Sequence, residues 1–169
     1  MSILLKNATI VDTKSNLNFT TKDILINDGT IVDIADTINT KSSQTIKLKN
    51  LHVSRGWMDT SVCFGEPGYE ERETILNGLE TAASSGFTSI LLNPNCDPTI
   101  DNHSSIEFLK RKSAETTTEI YPIGSLTNNS KGEDLASLYD MTLAGAVAFG
   151  DYKKPLKDVN DSFLSILII

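Results

Sequence analysis

The chain has 169 residues, of which 39% are hydrophobic and 22% charged, and its net charge is −7. That length suits a single domain, and the composition is ordinary for a globular protein. The negative charge disfavours nucleic acid or an anionic membrane surface as a partner. No apolar run approaches the roughly 20 residues that span a bilayer, and the N-terminus lacks the pattern of a signal peptide. With only Cys63 and Cys96 and no disulfide framework, a cytoplasmic location is predicted.

Residues 1–52 are predicted to form a small antiparallel β-sandwich module. Strand-like runs at 22–26 and 30–34 flank the dipeptide Asp28-Gly29. Asp-Gly between β-branched runs favours a tight hairpin, because the turn needs positive φ at its centre. Residues 3–12 and 44–48 complete the predicted strands.

From residue 53 the pattern changes to strands that alternate with helices. Strands are predicted before Pro67 and at 87–92, 119–124 and 146–149, and a last apolar element is predicted at 163–169. A helix is predicted at about 70–85, with early acidic residues suited to the positive end of its dipole and Gly86 at its end. This alternation implies right-handed βαβ units and a parallel sheet.

The length after residue 52 fits half of a (β/α)8 TIM-type barrel. A closed barrel takes about 250 residues, whereas residues 53–169 hold at most four strand–helix units. We therefore expect an α/β fold in which residues 53–169 form the first half of the barrel, in a chain that is truncated from a longer protein. A naturally short product without function is the alternative.

Five blocks of sequence occur in the order in which they occur in dihydroorotases, a branch of the amidohydrolase superfamily. Nearly the whole chain resembles that family. The blocks are Asp59, Glu66-Pro67-Gly68-Tyr69-Glu70, Gly86-Phe87-Thr88, Pro94-Asn95 with Pro98-Thr99-Ile100-Asp101-Asn102, and Gly145-Ala146-Val147-Ala148-Phe149.

The first barrel strand departs from the family pattern G-x-x-D-x-H-x-H-x-R-E-P-G. Ser61 and Cys63 stand where the family has two metal-binding histidines, and Gly65 stands where it has the arginine that holds the substrate carboxylate. The resemblance implies zinc-dependent hydrolysis of dihydroorotate, or its reverse, ring closure of carbamoyl aspartate. The chain's two histidines, His52 and His103, are at neither ligand position.

Three residues remain as site candidates by resemblance. Asn95 matches an asparagine that contacts the substrate carboxylate, and its alternative role is to shape the loop. Asp151 matches an aspartate that ligates metal, and its alternative is an exposed acid. Cys63 could bind zinc as a thiolate, and its alternative is a small buried hydrophobe in a site without metal.

Two functional hypotheses follow from these replacements. The first is a dihydroorotase-like pseudoenzyme with no cofactor in this chain, no catalytic residue, and a structural or regulatory role. The second is an active amidohydrolase with a rewired metal site, built from Cys63, Asp151 and ligands outside this chain. The resemblance also implies aspartate transcarbamoylase, or self-association, as a partner.

Overall fold

The computed structural model describes residues 1–157. The chain divides into two compact units, the first ending at Arg55 and the second beginning at Gly56. The boundary therefore follows Arg55 rather than His52, because the strand that contains His52 pairs within the first unit. The predicted apolar element at 163–169 lies outside the described residues. Within residues 1–157, no helix has the length and apolar character needed to cross a membrane.

The first unit is a five-stranded mixed sheet. Its strands are β1 (Ser2–Val11), β2 (Thr21–Asn27), β3 (Thr30–Ala35), β4 (Gln44–Ile46) and β5 (His52–Ser54). The predicted antiparallel module is confirmed for β1, β2 and β3. It is wrong for β4 and β5, because both pair in parallel with β1. Asp28 and Gly29 form the predicted hairpin turn, with φ of 47° and 77°.

Asp23 is the main polar anchor of the first unit and is only 2% exposed. Its carboxylate accepts hydrogen bonds from the backbone N–H of Asn7 at 3.0 Å, the backbone N–H of Ile38 at 2.9 Å and the Lys6 ammonium at 2.5 Å. Burial alone would raise the pKa of Asp23, but Lys6 and the two N–H groups lower it to about 2. The carboxylate therefore joins β1, β2 and the loop after β3 while it remains charged.

The second unit is a parallel four-stranded sheet with helices between its strands, part of a barrel. The strands pair in the order β6 (Trp57–Val62), β7 (Phe87–Leu92), β8 (Glu119–Gly124) and β9 (Ala148–Phe149). The helices are α1 (Ile75–Ser84), α2 (His103–Ser113) and α3 (Leu138–Ala144). Their apolar faces meet the sheet in a single core, with Ile75, Ile90, Leu109 and Met141 among its fully buried members.

Helix α1 begins later than predicted. Residues 70–72 form a turn, and the helix starts at Ile75 with Thr74 as its N-cap, whose side chain accepts from Asn77. The predicted early acidic residues therefore precede the helix, and its first turn holds no acid. The end of the helix is as predicted, because Gly86 follows it with φ of 89°.

Candidate functional site

The carboxyl end of β6 carries the two residues that replace the expected histidines. Ser61 and Cys63 are both exposed, and the buried side chain of Asn93 crosses between them from the end of β7. The amide nitrogen of Asn93 donates to Ser61 Oγ at 3.2 Å and to the backbone oxygen of Val62 at 3.1 Å, and it lies 3.6 Å from Cys63 Sγ. An N–H donor therefore faces both positions and would compete with a metal for their lone pairs.

Gly65 is buried, and the loop that follows it occupies the space of a side chain. A Cβ atom on Gly65 would lie 1.8 Å from the backbone oxygen of Tyr69. The same turn is closed by hydrogen bonds from Tyr69 N to Gly65 O at 2.8 Å and from Gly65 N to Glu73 O at 2.9 Å. This backbone path excludes an arginine at position 65 unless the loop moves.

Glu66 connects this loop to two helices. One carboxylate oxygen accepts from the backbone N–H of Ile75 at 2.8 Å, at the start of α1, and the other pairs with Lys112 at 2.8 Å, at the end of α2. Burial alone would raise the pKa of Glu66, but Lys112 and the Ile75 N–H outweigh it and lower the pKa. Glu66 thus supplies the negative charge that favours a helix N-terminus.

Asp151 is a buried carboxylate with four hydrogen-bond donors, not an exposed acid. One oxygen accepts from the Ser125 hydroxyl, Leu126 N and Thr127 N, each at 2.9 Å. The other accepts from the Thr127 hydroxyl. These bonds tie the residues after β9 to the loop after β8. A carboxylate offers about four acceptor sites, and four donors already contact Asp151, so a metal ion there would compete with this loop.

Asn95 lies in a cleft of about 220 Å³ at the carboxyl ends of the strands. Its Oδ1 atom is buried without a hydrogen-bond partner among the described residues. The neighbouring thiol of Cys96 is buried and donates to the Glu66 backbone oxygen at 3.4 Å. Burial, with lesser effects from Cys63, Glu70 and Glu66, raises the pKa of Cys96 to about 11, so that thiol stays protonated.

The candidate residues do not converge on a metal centre. Within residues 1–157, no three histidine, cysteine, aspartate or glutamate side chains are grouped closely enough to hold a metal ion. His103 lies at the start of α2, where Nδ1 is 3.1 Å from the Asp140 backbone oxygen, and His52 Nδ1 is 2.7 Å from the Asn50 backbone oxygen. With Asn93 donating at positions 61 and 63 and Asp151 held by four donors, the described residues do not fit zinc.

A protein-family model described as dihydro-orotase-like matches residues 51–158, which is more than half of the chain. The chain belongs to this family. The match covers all four strands of the parallel sheet and both of the replaced histidine positions. Membership therefore rests on the barrel residues and not on the missing metal motif.

Similar whole proteins give the same family. The chain is 40% identical to a dihydroorotase of Pelotomaculum thermopropionicum over 156 residues, which cover 92% of this chain and 36% of that protein. It is 38% identical to a dihydroorotase of Syntrophus aciditrophicus over 159 residues, 92% of this chain and 37% of that protein. The dihydroorotase-like chain thus spans about a third of the length of these curated relatives.

Solved structures support the fold. An L-hydantoinase (dihydropyrimidinase) from Arthrobacter aurescens matches 87% of this chain and 32% of its own, with a TM-score of 0.70 and 23% identity. A dihydroorotase matches 88% of this chain and 41% of its own, with a TM-score of 0.59 and 14% identity. The dihydroorotase-like chain therefore contains part of a TIM-type amidohydrolase barrel.

Asn93 and the loop of residues 125–127 were not identified from the sequence. Asn93 follows an apolar strand directly and precedes a proline, which marks it as a residue at a strand end. That position is the available signal, since site residues gather at the carboxyl ends of barrel strands. The donors to Asp151 carry no comparable signal, because they lie about 25 residues away in an ordinary polar loop.

Proposed function

We propose that this chain is a dihydroorotase-like protein without hydrolytic activity of its own, retained for a structural or regulatory role. The observation that carries the proposal is the Asn93 amide, which donates hydrogen bonds at the two positions expected to hold histidine. Serine is a poor zinc ligand because a neutral hydroxyl brings no charge. An amide donor beside it disfavours a cation further.

Two further contacts support the same proposal. The space for an arginine at position 65 is taken by the backbone of Tyr69, which removes the expected anchor for a substrate carboxylate. Asp151, the aspartate at a ligand-matching position, already accepts hydrogen bonds from Ser125, Leu126 and Thr127. Under this proposal, substrate anchoring and metal binding are lost through separate local changes.

The active alternative is an amidohydrolase with a rewired site. It would use the exposed thiol of Cys63, the carboxylate of Asp151 and ligands supplied from outside the described residues. Cys63 favours it, since a thiolate binds zinc well. Asp151 would have to exchange at least one of its present donors for the metal.

Zinc content and turnover of carbamoyl aspartate separate the two functions. We expect the purified chain to hold much less than one zinc per molecule and to give no turnover above a buffer blank. The matched variants are Cys63→Ala and Cys96→Ala, because each removes one thiol but only Cys63 lies at a histidine position. Stoichiometric zinc with turnover that Cys63→Ala abolishes and Cys96→Ala preserves would establish the active alternative.

A regulatory role requires a partner, and we propose aspartate transcarbamoylase or a second copy of this chain. The proposal follows from the family resemblance. Mixing the chain with aspartate transcarbamoylase and measuring the sedimentation coefficient tests the first of these partners, because a complex sediments faster than either protein alone.

A further inference from the structure

A large groove on the outside of the second unit lies between helix α1 and the turn that follows α2. It has a volume of about 590 Å³. One wall runs along α1 from Thr74 to Ala83, and the other is formed by residues 115–117. Over that stretch an α-helix rises by about 14 Å, which is about two and a half turns. The groove is therefore long enough to hold a short helix of another protein.

The floor of this groove is apolar. Leu79 is fully buried and Ala83 is half-buried, whereas Leu76 is 52% exposed. Leu76, Glu80 and Ala83 are spaced i, i+4 and i+7, so they lie along one stripe of α1. A second helix packs against such a stripe by placing its own side chains between those of the first. The exposed half of Leu76 is the apolar surface that such a helix would cover.

Carboxylates flank the apolar floor from both walls. Glu80 lies on α1 and Glu115 in the opposite turn, both are exposed, and neither forms an ion pair within residues 1–157. None of the described residues that line the groove is cationic. Charge complementarity therefore favours a partner that carries lysine or arginine beside an apolar side chain. The net charge of −7 attracts the same kind of partner over a longer range.

We propose that this groove binds a basic amphipathic helix of a partner protein. An apolar side chain of that helix covers Leu76, and lysine or arginine side chains beside it pair with Glu80 and Glu115. Helices that bind in grooves use apolar anchors spaced i, i+3 or i+4, and i+7, which matches the length of this groove. One short helix buries less area than a standard interface, so the complex is transient. The groove contains none of the replaced metal positions, and the proposal does not rest on the function proposed above.

Fluorescence anisotropy of a labelled synthetic peptide, titrated with the full chain, tests the proposal. The peptide is an amphipathic helix of about 14 residues, with leucines spaced i, i+3 and i+7 and lysines beside them. We expect saturable binding that weakens as salt is added, because salt screens exposed charges. The double variant Glu80→Gln/Glu115→Gln should bind about fivefold more weakly, as expected for two exposed ion pairs. Leu76→Lys should weaken binding at least about tenfold, because it replaces the apolar contact with a like charge.

Two matched variants separate the groove from general charge and apolarity. Asp33→Asn/Asp134→Asn removes two exposed carboxylates that do not line the groove. Met58→Lys adds a lysine at a residue that is 52% exposed, as Leu76 is, but lies on β6. Both should bind the peptide as the original chain does. Circular dichroism checks that each variant is folded, and the two groove variants change different residues, so either decides the test if the other fails to fold.

A second peptide tests the amphipathic requirement. It has the same composition, but its leucines are scattered over all faces of the helix, and it should bind at least about tenfold more weakly. Absence of binding to the original chain, equal weakening in a matched variant, or equal binding of the scattered peptide would overturn the proposal. Each of these results is independent of zinc content and of turnover.

Discussion

At the scale of the residue, the glycine at position 65 is coupled to the path of the backbone that follows it. The position corresponds to an arginine in the family pattern, yet the Tyr69 backbone now passes where a Cβ atom would lie. The absence of a side chain at position 65 leaves room for the loop after β6 to lie close against its own strand. Glycine is required here by close approach and not by its conformational freedom.

We predict that Gly65→Ala destabilises the chain by about 1–3 kcal/mol, the usual cost of overpacking. The added methyl group would meet the Tyr69 carbonyl, and backbone cannot move aside as a flexible side chain can. Gly150→Ala is the matched control, because a Cβ there meets nothing within 4 Å, and its change in the free energy of unfolding should stay within about 0.5 kcal/mol. Urea denaturation measures both. If the two variants were equally stable, the Tyr69 backbone would not lie against position 65 in solution.

The site residues were predictable by position and their partners were not. Motif spacing identified Ser61, Cys63 and Gly65 as the replaced positions. Asn93 lies about 30 residues from the two side chains it bonds, so its role depends on how β6 and β7 pair. Asp151 was placed correctly at a strand end, but its burial follows from a loop fold that no local pattern encodes.

At the scale of the element, N-capping residues fix where the helices begin, which the apolar pattern alone does not determine. The pattern predicted α1 from about residue 70, whereas Thr74 and Glu66 fix its start at Ile75. Helix α2 begins at His103, and its N-cap Asn102 forms a capping box with Ser105. The periodicity of apolar residues therefore predicts which face of each helix is buried, whereas side-chain contacts determine where the helices begin.

Asp23 anchors the first sheet, and the effect of its protonation on stability can be measured. The pKa of Asp23 is about 2, below its ordinary value of 3.8, so its contribution to stability is complete above about pH 4 and is lost as the pH falls through about 2. We expect Asp23→Asn to lower the free energy of unfolding at pH 7 and to flatten its dependence on pH below 4. Urea midpoints measured from pH 2 to pH 7 give both slopes.

Asp33→Asn is the control for this pH series. Asp33 lies in β3 and is exposed, whereas Asp23 is buried with three donors. Removing the exposed Asp33 carboxylate is expected to leave the acid slope unchanged, because exposed charges contribute little to stability. If both variants changed the slope equally, net charge and not the Asp23 anchor would explain the pH dependence.

At the scale of the whole molecule, the alternation of strands and helices predicted the four strands of the parallel sheet that the structure describes. Strand order follows chain order from β6 to β9, as short right-handed connections require. The mixed pairing of the first sheet was not predictable in the same way. Strand β4 has three residues and pairs in parallel with β1, and so short a segment carries no signal for its direction.

The sheet of the second unit also predicts how the chain behaves with copies of itself. Strand β6 pairs on one side only within the described sheet, and Trp57 and Met58 on it are 59% and 52% exposed. An edge strand with exposed apolar side chains is a template for pairing with another chain. We therefore expect concentration-dependent self-association in sedimentation velocity. It should be reduced in Met58→Lys, because a charged side chain on an edge strand disfavours pairing with another chain.

Leu76→Lys is the matched control, since Leu76 is also 52% exposed but lies on α1. If both lysines reduced association equally, general surface apolarity and not the β6 edge would hold the copies together.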